Sequence, residues 1–133
     1  MITRKLQQSD WDTLQGWWDA WPKWVAPSKE FLPGDGTSGF IIEKDGIPIV
    51  AGFVYLTNSK AVLLEWIISN PSYRENDRDL ALETLIKDIQ DIVKDLGFNY
   101  MFTITQHEKL MKLHEKLGWV KDSTPSYELT KIL

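Results

Sequence analysis

The sequence predicts a single α/β (α+β) domain over residues 1–133, built on a central mixed sheet of six to seven strands flanked by about four helices. Two observations support this prediction. The apolar pattern switches between helical and strand spacing along the chain, so both element types are expected. Between residues 62 and 105, a strand, a long helix and a second strand follow one another, which is typical of a right-handed βαβ unit with parallel strands.

The first part of the chain predicts one strand and one helix. Residues 2–6 form the strand, and Ser9 is the expected N-cap of the helix that follows. Pro22 ends this helix, and the prolines and glycines of residues 22–38 favour an irregular connection. The helix is indicated by an apolar stripe at three- and four-residue spacing, formed by Trp11, Leu14, Trp18 and Trp21.

Three strands are expected in the middle of the chain. The first is Phe40-Ile41-Ile42, and a turn follows at Asp45-Gly46, where aspartate and glycine tolerate the positive φ of a tight hairpin. The second runs from Ile47 to Leu56. The third runs from Val62 to Ile68, and its nearly continuous apolar run indicates a central strand covered on both faces.

The second half of the chain alternates helices and strands. A 3.6-residue apolar stripe predicts a helix over residues 79–96, with Gly97 as its C-cap. Residues 100–105 form the next strand, and residues 108–117 form the last helix. Two final strands are expected at Trp119-Val120 and from Ser126 to Ile132.

The composition excludes several classes of protein. With no cysteine, the chain has no disulfide, cysteine nucleophile or zinc–thiolate site. The net charge is −4 without a basic cluster, so phosphate-backbone binding to nucleic acid has little electrostatic support. No apolar run reaches the roughly 20 residues of a membrane span, and no leader segment is recognised. We therefore expect a cytoplasmic protein, without a membrane partner and without a metal site, since the two histidines have no clear third ligand.

Two separated segments are informative about the family. The first is Ile67-Ile68-Ser69-Asn70-Pro71-Ser72-Tyr73-Arg74, which precedes the long helix. The second is Leu113-His114-Glu115-Lys116-Leu117-Gly118-Trp119. The first resembles the strand, the Val-x-Pro-x-Tyr-Arg segment and the coenzyme loop of the GNAT N-acetyltransferase superfamily, and the second resembles its Leu-Tyr-Glu-Lys-x-Gly-Phe segment. The likeness covers almost the whole chain, and it extends to small phage-encoded proteins of this type.

The resemblance implies an N-acyltransferase that moves an acetyl or other acyl group from acetyl-coenzyme A to an amine of a small molecule or peptide. It places the coenzyme between the strands near Ile67–Ser69 and Tyr100–Thr103. His107 aligns with a position that contacts the coenzyme, although its polar neighbours also fit an exposed loop. The coenzyme-binding residues that the resemblance implies are Ile67, Ile68, Ser69, Arg74, Glu75, Asn76, Asp77, Arg78, Asp79 and His107.

The loop from Arg74 to Asp79 departs from the family pattern, because Asp77 and Asp79 stand where glycines are usual. A Cβ crowds the close approach of an anion, and the loop carries a net charge of −1. One interpretation is that Asn76 or the aspartates cap the helix and leave no room for a ligand. In the other, Arg74 and Arg78 bind phosphate while the carboxylates point away.

Two residues are candidates for proton transfer. Glu65 interrupts the apolar run from Val62 to Ile68, where burial would raise its pKa to a value useful for a general base. His114 stands where the family commonly has a tyrosine general acid, and histidine can donate a proton near neutral pH. The alternatives are a sheet glutamate that reaches solvent or a positive partner, and a histidine on the surface of an amphipathic helix.

Five tryptophans lie between residues 11 and 24. Trp17 and Trp24 fit the helical stripe less well than the others, and the resemblance makes them candidates for the wall of an acceptor site, where an aromatic ring can hold a cation. The alternative is core packing with a homodimer contact. Three functions therefore remain: an acyltransferase, a GNAT-fold binding module without catalysis, and a structural protein that dimerises.

Overall fold

The computed structural model describes all 133 residues and contains five strands and three α-helices. The elements are β1 (Ile2–Lys5), α1 (Trp11–Ala20), β2 (Gly39–Lys44), β3 (Ile47–Leu56), β4 (Ala61–Ser69), α2 (Arg78–Asp95), β5 (Tyr100–Phe102) and α3 (Glu108–Lys116). Three short 3-10 turns lie at Gln8–Asp10, Lys29–Phe31 and Pro33–Gly36. The α/β (α+β) class is confirmed, with fewer strands and α-helices than the six to seven and four expected.

One sheet of order β1-β2-β3-β4-β5 forms the centre of the molecule. Its first three pairings are antiparallel, and β4 and β5 are parallel, joined through α2 as the βαβ pattern predicts. No helix of the structure has both the length and the apolar composition needed to cross a membrane.

The core consists of two layers on opposite faces of the sheet. One contains the inner face of α2, including Leu85, Ile86 and Ile89, packed on strand residues such as Leu64. The other is built around Trp18 of α1 and Phe53 of β3, whose ring centroids lie 6.3 Å apart. The sheet is therefore covered on both faces, and β4 contributes to both layers.

Gly39, at the start of β2, permits a close approach to the backbone of β3. A Cβ at this position would lie 2.2 Å from the carbonyl oxygen of Gly52 in β3. No side chain fits there without moving the backbone. This contact explains why β2 begins at a glycine.

The start of α1 differs from the prediction. Ser9 is not the N-cap, because it lies inside the 3-10 turn that precedes the helix. The Asp10 carboxylate accepts from the Gln7 N–H at 2.8 Å and from both terminal nitrogens of Arg4. A buried aspartate paired with Arg4 therefore fixes the entry to α1, a contact between residues six apart that helical periodicity does not reveal.

The two strands expected after α3 are absent, and β5 ends at Phe102 rather than at residue 105. Trp119 packs against the α2 layer and donates its Nε1–H to Gln90. Beyond it, Tyr127 and Leu129 are 88% and 93% exposed. Their alternating pattern is strand-like, but no strand of the structure pairs with this segment.

Candidate functional site

β4 and β5 separate soon after they pair. Their pairing covers only Ala61, Val62 and Leu63 on β4, matched to Tyr100, Met101 and Phe102 on β5. From residue 64 to Ser69, β4 has no strand on the β5 side, so its backbone on that side borders an opening. The residues predicted to contact the coenzyme on β4 lie along this opening.

Glu65 lies where the two strands part. Its Oε1 accepts a hydrogen bond from the backbone N–H of Ile104 at 2.7 Å, so its side chain bridges the opening. The pKa of Glu65 is raised to about 7, mainly by burial and also by the negative charge of Glu128, while the hydrogen bonds from Ile104 and Thr103 oppose the shift. A half-buried carboxyl with this pKa can both accept and release a proton near neutrality.

The three predicted coenzyme contacts at the end of β4 have different surroundings. Ile68 is buried in the α1 layer, and Ile67 packs against the α2 layer. The carbonyl oxygen of Ser69 accepts from the indole Nε1–H of Trp21 at 3.0 Å. A carbonyl oxygen has two lone pairs, so Ser69 can still accept a second donor.

Two side chains bind the carboxylate of Asp77, the residue at the start of α2. Lys44 of β2 places its Nζ 2.6 Å from Oδ2 of Asp77, and the Tyr73 hydroxyl donates to Oδ1 at 2.7 Å. The hydrogen bond from Lys44, and then that from Tyr73, lower the pKa of Asp77, so it is ionised at neutral pH. Asp77 is the N-cap residue, yet no side chain caps α2, so the capping interpretation is wrong. The N–H of Arg78 donates to the carbonyl oxygen of Glu75, whereas the N–H groups of Asp79 and Leu80 remain available to an anion.

The other charged side chains of the loop are also arranged around α2. Asp79 lies 3.1 Å from Nζ of Lys109 on α3, and the guanidinium of Arg78 lies 5.3 Å from the ring centre of Trp21. Arg74, Glu75 and Asn76 are exposed. Counting Lys44 and Lys109 with the loop changes its net charge from −1 to +1, so the negative charge expected from the sequence alone is offset.

His114 is buried in α3, with 4% of its surface exposed. Its Nδ1 lies 2.8 Å from the carbonyl oxygen of Leu110, so this nitrogen carries a proton, and its ring packs edge-on to Trp119 at 4.5 Å. Burial lowers the pKa of His114, which keeps it neutral near pH 7 and leaves Nε2 as an acceptor. A neutral histidine that donates its one ring proton to Leu110 does not suit a general acid. His114 is also not a surface residue, so the structure differs from both expectations: this histidine is buried and packed.

The remaining predicted site residues are His107, Trp17 and Trp24. His107 is the N-cap of α3, where its Nδ1 accepts from the N–H of Leu110 at 3.2 Å. Trp17 is 6% exposed and packs in the α1 layer, as the core-packing alternative has it. Trp24, which is 44% exposed, is the aromatic side chain of this pair that a ligand can reach.

A cavity of about 1340 Å³ lies between β5, α3 and the C-terminal segment. Its walls include Thr103, Ile104 and His114, but neither Glu65 nor the 74–79 loop. The cavity and the opening beside β4 meet at Thr103 and Ile104, which line the cavity and donate hydrogen bonds to Glu65. The structure contains no group of three or more histidine, aspartate or glutamate side chains that could hold a metal ion.

Comparison with solved structures shows the same architecture in a set of acetyltransferases. The ribosomal-protein-S18-alanine N-acetyltransferase from Escherichia coli superposes with a TM-score of 0.71 at 16% identity, over 88% of this chain and 76% of that one. The structure of AAC(6')-Iy with the bisubstrate analog CoA-S-monomethyl-acetylneamine gives 0.67 at 21% identity, over 98% of both chains. The chain has the GNAT fold. A scan of protein-family models and a search of curated proteins give no match.

N-acetylglutamate synthase from Neisseria gonorrhoeae, complexed with coenzyme A and N-acetyl-glutamate, gives a TM-score of 0.68 at 14% identity, over 86% of this chain and 27% of that one. These likenesses confirm the GNAT fold that the segments 67–74 and 113–119 indicate. Sequence reasoning did not predict that Lys44, Trp21 and Lys109 lie near the loop from Arg74 to Asp79. Their distance from the loop in sequence left no local signal, and only the paired β2 and the packed α3 bring the two lysines to it.

Proposed function

We propose that this GNAT-fold protein is an N-acyltransferase that transfers an acetyl group from acetyl-coenzyme A to an amine. The observation that carries the proposal is Glu65, a carboxyl of pKa about 7 at the point where β4 and β5 part. Solved structures of the same fold have N-acetyltransferase in their names, and one holds a coenzyme A bisubstrate analog. The acceptor is a small-molecule or peptide amine, and Trp24 is a candidate for the wall of its site.

The coenzyme would lie along the unpaired side of β4. The backbone groups of Ile67 and Ser69 would bind the pantetheine arm, and the first turn of α2 with Arg74 and Arg78 would take the pyrophosphate. The bond from Trp21 to Ser69 and the contact of Trp21 with Arg78 would both adjust as the coenzyme enters. Lys44 and Lys109 support this placement, because they neutralise the two aspartates that replace glycine.

The chemistry requires a neutral amine nitrogen. Glu65, ionised, accepts a proton from the ammonium form of the acceptor directly or through water, and the free amine attacks the thioester carbonyl carbon. The C–N bond forms, the C–S bond breaks, the attacking nitrogen releases a proton as it becomes an amide, and the coenzyme thiolate takes up a proton. We assign this last proton to no side chain, since His114 already donates from Nδ1 to Leu110.

A binding module without catalysis is the second candidate. It is favoured by Trp21, which contacts both the Ser69 carbonyl oxygen and Arg78, two groups expected to bind the coenzyme. In that case the fold would bind a partner, and acetyl transfer would be absent.

Release of coenzyme thiol from acetyl-coenzyme A, measured across a panel of primary amines, tests the proposed function. The chain has no cysteine, so a thiol reagent reports only the coenzyme. The proposal expects amine-dependent thiol release that Glu65→Gln reduces at least about a hundredfold, the scale of general base catalysis, while coenzyme affinity is kept. Glu115→Gln, an exposed glutamate on α3, is the matched control. Equal turnover in wild type and Glu65→Gln would exclude Glu65 as the base.

A further inference from the structure

The backbone beside Glu65 has an unusual conformation. Phe53 pairs with Glu65 and Ala51 pairs with Ile68, so Trp66 and Ile67 of β4 stand opposite the single residue Gly52 of β3. This is a β-bulge. Trp66 has a φ of 56°, in the left-handed region that favours glycine, and a bulky residue stays there only when its surroundings hold it.

The surroundings that hold Trp66 are specific. Its Nε1–H donates to the Tyr55 hydroxyl at 3.0 Å, and that hydroxyl donates to the carbonyl oxygen of Phe31 at 3.1 Å. The rings of Phe31 and Trp18 meet the Trp66 ring edge-on, with centroids 6.0 Å and 6.5 Å away. Tyr55 thus connects the bulge on β4 to the 3-10 turn at Lys29–Phe31 through one hydroxyl group.

We propose that Tyr55 is a positioning residue, whose hydroxyl holds Trp66 in its left-handed conformation so that the neighbouring Glu65 is directed across the opening to Ile104. The proposal rests on the proposed function only for the role of Glu65 as base. A bulge changes which way the following and preceding side chains point, so its loss would turn Glu65 away from the opening. Tyr55 would then affect acyl transfer without touching the acceptor.

The charged and titratable groups around Glu65 are few. Tyr55 comes from β3, Glu128 comes from the C-terminal segment, and the segment after β5 presents Thr103 and the amide of Ile104. Burial raises the pKa of Tyr55, so its phenol is neutral at pH 7. Replacing Tyr55 by phenylalanine therefore removes no charge, and the other groups keep theirs. A change in Glu65 titration in such a variant therefore reports a change in its position.

The test is an NMR titration of the Glu65 carboxyl in coenzyme-free protein, comparing wild type with Tyr55→Phe and Trp66→Phe. Each variant keeps a ring at its position and removes one partner of the 3.0 Å bond. The proposal expects Glu65 to titrate at lower pH in both variants, towards the ordinary glutamate value, with no further change in the double variant. Tyr127→Phe, at a position 88% exposed, is the control and should leave the titration unchanged.

Unchanged Glu65 titration in folded Tyr55→Phe and Trp66→Phe would overturn the proposal, whether or not the protein is an enzyme. If transfer activity is found, Tyr55→Phe should also shift the acidic limb of the kcat/KM profile and lower kcat more than it raises KM. Absence of transfer with every amine, combined with a shifted titration, would reject the proposed function and leave the positioning role intact.

Discussion

Nζ of Lys44 lies 2.6 Å from Oδ2 of Asp77, an ion pair that joins the end of β2 to the residue before α2. Together with the Tyr73 hydroxyl, Lys44 binds both oxygens of the aspartate. The side chain that replaces a loop glycine is thereby directed away from the helix amides. A loop that looks unsuited to an anion in sequence becomes compatible with one.

Lys44→Ala should weaken binding of coenzyme A about tenfold, because the freed Asp77 carboxylate then competes with phosphate for the first turn of α2. Asp77→Gly should strengthen binding, since it removes both the Cβ and the charge. Isothermal titration calorimetry with coenzyme A gives both affinities. Lys5→Ala, an exposed lysine of β1 without an ion pair, is the control. Equal affinities for wild type and Lys44→Ala would contradict this role of the ion pair.

Glu65 should make the folded state less stable as pH rises from about 4.5 to about 7. Its pKa is about 7 in the folded protein against an ordinary 4.5, so the folded state binds more protons in this interval and the free energy of unfolding falls with rising pH. Glutamine does not titrate, so Glu65→Gln should keep its free energy of unfolding as the pH rises. At pH 8 the variant should be more stable than wild type by about 1–2 kcal/mol, allowing for solvent screening. Urea unfolding at pH 5 and pH 8 measures the difference. If the free energies of unfolding of Glu65→Gln and wild type differ by the same amount at both pH values, Glu65 titrates normally.

Asp10 should have the opposite dependence. The side-chain hydrogen bonds from Arg4 lower its pKa, so its contribution to stability is present above the ordinary aspartate range and is lost as pH falls through the folded-state value. Asp10→Asn should cost about 1.5–3 kcal/mol at pH 7, because it removes a charge-assisted pair from a residue only 9% exposed. The loss of stability caused by Asp10→Asn should become smaller as the pH falls. A cost that stays constant down to pH 2 would mean that the carboxylate charge is unimportant.

Two glycines form a matched pair for stability. Gly39→Ala should destabilise the protein by about 1–3 kcal/mol, because the new Cβ would lie 2.2 Å from the Gly52 carbonyl oxygen. Gly16→Ala, within α1 and with nothing within 4 Å, should stabilise it by about 0.5–1 kcal/mol through helix propensity. Thermal unfolding of the two variants checks both signs, and a tolerated Gly39→Ala would show that β2 and β3 can move apart.

Local patterns predicted the elements that pack on the sheet. The stripe of α2 and the apolar run of β4 gave bounds within one residue of the structure, because both elements bury a regular set of side chains. The C-terminal strands were wrong, since alternation at Tyr127 and Leu129 specifies a face but supplies no neighbouring strand. Strand spacing did not indicate the left-handed φ of Trp66, whose indole donates to the Tyr55 hydroxyl.

The candidate site was predicted only where it is local in sequence. Glu65 stood out as a charge within an apolar strand, and its raised pKa follows from that burial. The ion pairs of Asp77 and Asp79 were not predictable, because Lys44 and Lys109 approach the loop only through the pairing of the sheet and the packing of α3. The packing of His114 was not predictable either, although Leu110 and Trp119 are close in sequence, because the contact with Trp119 depends on how the chain folds after α3.

Titration of isotopically labelled protein with acetyl-coenzyme A, followed by amide NMR shifts, tests the central claim most directly. The opening beside β4 should bind the coenzyme, so the amides of Ile67, Ser69, Asp79 and Leu80 should shift saturably, with about 2.7 kcal/mol of added stability at 100 times the dissociation constant. No shift at millimolar coenzyme would contradict the account. Shifts confined to the cavity beside β5 and the C-terminal segment would contradict it equally.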